Sequence, residues 1–131
     1  MIALHFATSG EDFTAMEAHD AVVWKIDIDE LNELLPENYK ELLDKEHAKL
    51  FTTEMLETVA KNTSEYDDAM KSDSMVLLEP FSSDQRIINQ YSYFSILPKE
   101  IVNLEDFFEK NTCNTVKYIL DKSIKWHIRD M

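Results

Sequence analysis

An α+β fold, a small mixed β-sheet of about four strands with helices packed against it, is what the order of residue patterns predicts. Three observations carry this. Short β-branched and aromatic runs at 21–28, 75–79, 93–97 and 116–120 read as strands. Between the first two, Tyr39, Leu42, Leu43, Leu50, Phe51, Met55, Leu56 and Val59 recur near a 3.6-residue period, the pattern of one or two amphipathic helices. The chain of 131 residues, 44% of them hydrophobic, fits one domain, 1–131, with a packed core.

The first seven residues are apolar with no cap, so the chain reads as opening inside a helix or strand. The polar stretch 8–20, with Ser9-Gly10 as a turn signal, reads as loop. Asp29 is placed to cap a short helix that carries Leu31, Leu34 and Leu35, and Pro36 suits the start of the next. The polar run 62–74 reads as a second loop. Pro80 ends the second strand, and Ser82 with Gln85 has capping-box spacing for a helix over 84–90. Pro98 stops the third strand, Asn103 caps a helix through Lys110, and a short helix follows the fourth strand. Strands and helices alternate through short, irregular connections, which suits a mixed sheet more than a doubly wound parallel one.

Glycine occurs once, at Gly10, against an average usage of roughly 7%. Gly-rich phosphate loops and dinucleotide fingerprints are therefore excluded. Net charge is −13, and residues 1–98 hold all of it, with 20 acidic and 7 basic side chains. Such a surface repels phosphate, so direct nucleic-acid binding is not expected. It attracts basic proteins, although the same carboxylates also serve solubility. A lone Cys113 permits no internal disulfide and fits a reducing cytoplasm. No apolar run approaches the length of a membrane span.

The four histidines, His5, His19, His47 and His127, fall in no ligand-spaced cluster, so no metal or cofactor is expected. Asp27 and Asp29 could hold Mg²⁺ as a pair, but a helix cap and a solvated strand end explain them more simply. No nucleophile elbow exists around any serine. One stretch stands apart. On a helix, Arg86 and Gln90 share a face, with Asn89 alongside, just before a strand that holds Phe94. A guanidinium fork and two amides pointing one way suit binding of a carboxylate or phosphate. Arg86, Asn89, Gln90 and Phe94 are thus the candidate binding residues, with local pairing of Arg86 to Asp84 or Glu79 as the plainer use. No catalytic residue is assigned.

Three stretches in order resemble the C-terminal half of an FRG domain. Residues 2–7 are similar to that family's ALxFA segment. Residues 20–27 are similar to its GAVWVLD strand, with Ala21 where the family has Gly. Glu79-Pro80 followed by Arg86, Asn89, Gln90 and Phe94 is similar to its late E-P…R-x-x-x-Q-x-x-x-F stretch. The family's N-terminal F/Y-R-G motif and QHxGxPTRLLDWT-like stretch are absent, so the resemblance implies an N-terminally shortened FRG-like domain. It also implies a non-catalytic binding or inhibitory module acting on another protein. Two further readings stand beside it. One is an acidic nucleic-acid mimic that inhibits a nuclease, of the anti-restriction or anti-CRISPR kind carried by phage and mobile elements. The other, by fold analogy, is an ADP-ribosyltransferase-like enzyme. The expected partner is a protein with a basic surface, and an open sheet edge leaves room for a homo-oligomer.

Overall fold

Helices form wherever the chain offers a cap followed by spaced apolar side chains, and strands wherever β-branched residues alternate. The computed structural model describes residues 2–10, 13–79 and 92–130. Its elements are α1 (Ile2–Ala7), α2 (Phe13–Met16), β1 (Ala21–Lys25), α3 (Ile28–Glu33), α4 (Glu37–Glu46), α5 (Thr53–Val59), α6 (Thr63–Met70), β2 (Val76–Leu78), β3 (Phe94–Ile96), α7 (Leu104–Asn111), β4 (Val116–Leu120), a 3₁₀ turn (Lys122–Ile124) and α8 (Lys125–Arg129). The α+β class and four strands hold. The strands form two antiparallel pairs, β1–β4 and β2–β3, in place of one mixed sheet. A parallel bridge from Phe51 to Leu78 lies beside β2, with Phe51 N–H donating to Leu77 O at 3.0 Å and Glu79 N–H to Phe51 O at 2.8 Å.

The chain packs as two compact units, Met1–Ile26 with Thr115–Met131, and Asp27–Asn114. In the first, β1 and β4 run antiparallel in a register that sets Ala21 against Leu120 and Lys25 against Val116. Lys125 is buried there and donates to Met16 O at 2.9 Å and His19 O at 3.0 Å. It thereby satisfies carbonyls at the end of α2, a place that favours a cation. Asp20 accepts from the Lys122 N–H at 2.9 Å and ties the start of β1 to the end of β4. Gly10 serves as a close approach: a Cβ there would lie 2.4 Å from Met16 Cγ. The stretch 8–20, read as loop, contains α2.

In the second unit, Leu35, Tyr39, Leu43, Phe51, Tyr66, Met70 and Val76 form the core. Tyr39 meets Phe51 edge-on, with ring centroids 5.9 Å apart. Asp27, two residues before the expected cap, is the side chain that caps α3, accepting from Asp29 N at 3.1 Å and Glu30 N at 3.2 Å. Asp29 sits inside the first turn and pairs with Lys49, 2.7 Å from both carboxylate oxygens. The expectation of Asp29 as cap is corrected on that geometry, and the two carboxylates do not act as a pair. Glu30 accepts from the Cys113 N–H at 2.6 Å and pins the turn after α7. The polar run 62–74 is not a loop: Asn62 caps α6 by accepting from Glu65 N at 2.9 Å, and Glu65 accepts from Lys61 N at 2.9 Å. Tyr66 and Met70, four residues apart, are its buried face. The expected helix over 84–90 lies outside the described residues.

Scarcity of glycine leaves strain in two turns. His47 closes α4 in the left-handed region, φ 50°, with His47 N–H donating to Asp44 O and Ala48 N–H to Leu43 O. This is a Schellman arrangement, whose left-handed position favours Gly. Lys71 follows α6 at φ 52° and ψ −135°, and Asp73 N–H closes the turn onto Met70 O. That conformation also belongs to Gly, and its strain is on the order of 1–3 kcal/mol for another residue. His47→Gly is expected to stabilise by about 0.5–1 kcal/mol, and Lys71→Gly by about 1 kcal/mol or more. Urea midpoints measure both, and a lowered midpoint for Lys71→Gly contradicts the strain reading.

Candidate protein interface

Charge divides unequally between the two units as well. Residues 27–114 hold 20 acidic against 8 basic side chains, a balance of −12. The other unit holds 6 against 5. The acidic surface therefore belongs to the unit that contains α3–α7 and the β2–β3 pair.

Helix α4 carries one row of it. Glu37, Glu41 and Asp44 are exposed and stand at i, i+4 and i+7, which places them along one face. Like charges at that spacing weaken a helix by about 0.2–0.5 kcal/mol per pair. The helix holds because Tyr39 and Leu43 anchor its other side in the core. Two open grooves flank α4, each about 510 Å³. The groove toward α5 has Leu42, Ala48 and Met55 in its lining and Glu46 and Glu54 among its charged residues. Thr52 caps α5 by accepting from Met55 N at 3.3 Å. Backbone and Thr52 hydrogen bonds at this helix start hold the Glu54 carboxyl below its ordinary pKa, so it stays ionised. The groove toward α3 is lined by Asp29, Glu33, Lys40, Asp44, His47 and Lys49 among others, and its lysines are engaged: Lys49 with Asp29 at 2.7 Å and Lys40 with Glu33 at 3.9 Å. An acidic stripe beside a partly apolar groove can receive a basic, amphipathic segment of another protein.

Of the residues expected to bind, Phe94 lies in β3, half-exposed and opposite Leu78. Arg86, Asn89 and Gln90 lie outside the described residues. Among the described residues no group of three or more His, Cys, Asp or Glu side chains is arranged to hold a metal. No helix among them is long and apolar enough to cross a membrane. The Glu37–Glu41–Asp44 stripe was missed in the sequence because only the apolar positions of that helix were read for spacing. Comparison with known protein families, curated proteins and solved structures finds no match.

Proposed function

We propose that the chain is a binding module of FRG-like type that acts on another protein by occupying a basic surface of it. The observation that supports this reading is the concentration of charge: a balance of −12 within residues 27–114, with Glu37, Glu41 and Asp44 aligned on α4, whose flank toward α5 carries a groove with Leu42, Ala48 and Met55 in its lining. Such a field raises the encounter rate with a basic protein, and the groove supplies the apolar contact that holds it. The combined variant Glu37→Gln, Glu41→Gln, Asp44→Asn tests it. These side chains are exposed, so the fold should keep its unfolding midpoint or gain slightly. Affinity capture from host extract should recover a basic protein with the unaltered chain and lose it with the variant. Equal recovery by both, or no specific partner, contradicts the proposal.

A second reading, favoured by the regular spacing of the α4 carboxylates, is that the occupied surface is one that binds nucleic acid. Side chains three or four apart on a helix lie about 5–6 Å from each other, a repeat that can stand in for part of a phosphate row. Duplex DNA should then compete with the chain for the captured protein. Capture that is unaffected by excess DNA leaves the first reading and removes this one.

A further inference from the structure

The β1–β4 ladder stands outside that reading. β4 pairs with β1 along one edge, and among the described residues no strand pairs along its other edge. An open strand edge is a template for another strand. Three apolar side chains of this strand are exposed: Val116 is 39% exposed, Tyr118 51% and Ile119 63%, with Val22 at 44% directly opposite Ile119. We propose that β4 pairs antiparallel with β4 of a second copy of the chain, making a four-stranded sheet with a two-fold axis at Tyr118.

Charge decides the occupant. The only charges in the ladder are Lys25 and Lys117, and the unit around them is near neutral. A basic partner is drawn to residues 27–114 and repelled here. A second copy meets no like charge along this edge, because the strand is complementary to itself in one register. With Tyr118 on the axis, Tyr118 faces Tyr118 of the second copy, Lys117 faces Ile119, and Val116 faces Leu120. No like charges oppose each other, and the aromatic pair at the centre is a favourable cross-strand contact. Extending this register through β1 builds whole rows. On one face Val22 and Ile119 continue into Lys117 and Trp24 of the second copy. There the Lys117 ammonium, 5.6 Å from the centre of the Trp24 ring, lays its aliphatic stem toward the exposed Ile119. On the other face Val23 and Tyr118 continue into Tyr118 and Val23. An isologous contact of this kind closes after two copies and leaves no growing edge at β4.

Sedimentation equilibrium on the full chain across a concentration series tests this. The expected mass is twice the 15.3 kDa of one chain, shifting to one chain on dilution. Ile119→Lys sets two lysine pairs across the axis and should give a monomer at every concentration, with unchanged far-ultraviolet circular dichroism. Adding Lys117→Glu to Ile119→Lys turns each repulsion into an attraction and should restore the dimer. Should Ile119→Lys perturb the fold, Tyr118→Cys in a Cys113→Ser background decides the matter: oxidation should cross-link two chains nearly completely. A monomer at all concentrations overturns the proposal. So does a dimer indifferent to Ile119→Lys in a folded chain, a charge swap that restores nothing, or an absent cross-link. None of these outcomes bears on binding by the α4 stripe.

Discussion

Replacing Tyr66 with Phe should destabilise residues 27–114 by about 1–3 kcal/mol, a large loss for the removal of one oxygen. The Tyr66 hydroxyl donates to Ile96 O at 2.6 Å and accepts from Val76 N–H at 3.2 Å. Val76 and Ile96 are opposite each other in the β2–β3 ladder, so the hydroxyl clips the two strands at one end. Without it a buried N–H and a carbonyl lose their partner. Burial holds the Tyr66 hydroxyl well above its ordinary pKa, and burial with Glu65 nearby raises Tyr39. The unfolded chain therefore releases these protons first, near pH 10. The contribution of these two hydroxyls is constant below that value and is lost as pH rises beyond it. Tyr66→Phe should flatten part of this alkaline slope. Tyr39→Phe is the control: its buried hydroxyl has no hydrogen-bond partner among the described residues. Its removal should be neutral or stabilise by about 1 kcal/mol. Urea unfolding from pH 7 to pH 11 measures all three proteins. Equal losses for the two Phe variants contradict the strand-clip account.

Lys125→Met should cost about 1.5–3 kcal/mol in the other unit, the range for hydrogen bonds made by a charged group. The methionine keeps the apolar stem and removes the ammonium that binds Met16 O and His19 O. The loss should be local. Amide exchange should accelerate around 13–20 and 122–130, where α2 is held to α8, and stay unchanged in the α4–α6 core. Unaltered exchange around Met16 would mean that Lys125 does not hold that segment.

Elements whose cause is local were legible in the sequence. β4 was expected at 116–120 and is there, because the β-branched and aromatic Val116, Tyr118 and Ile119 lie between a turn and Asp121. Helix α7 begins after Asn103 as expected, since an Asx cap declares itself in one residue. Helix α6 was hidden by polar composition, although the Asn62–Glu65 capping box was readable. Positive φ at His47 and Lys71 was invisible, because the usual signal is glycine and the chain has only Gly10. The division into two units was hidden for a different reason. It depends on β1 pairing with β4, nearly a hundred residues away, and no local pattern announces such a contact. Residues 99–131 are neutral as expected, and the β1–β4 unit, drawn from both ends of the chain, is neutral to within one charge. Of the expected site, Phe94 is seen as an exposed strand residue, while the acidic stripe on α4 follows from spacing that the apolar pattern obscured.

The most direct test of the electrostatic account is the association rate of the captured partner as salt is raised. Exposed charges more than a Debye length apart are screened, and the Debye length shortens from about 10 Å at 0.1 M to about 3 Å at 1 M. The account predicts that the association rate falls by about tenfold or more over that range, and that the Glu37→Gln, Glu41→Gln, Asp44→Asn chain starts low and barely responds. A rate indifferent to salt, and equal for the two chains, would contradict it.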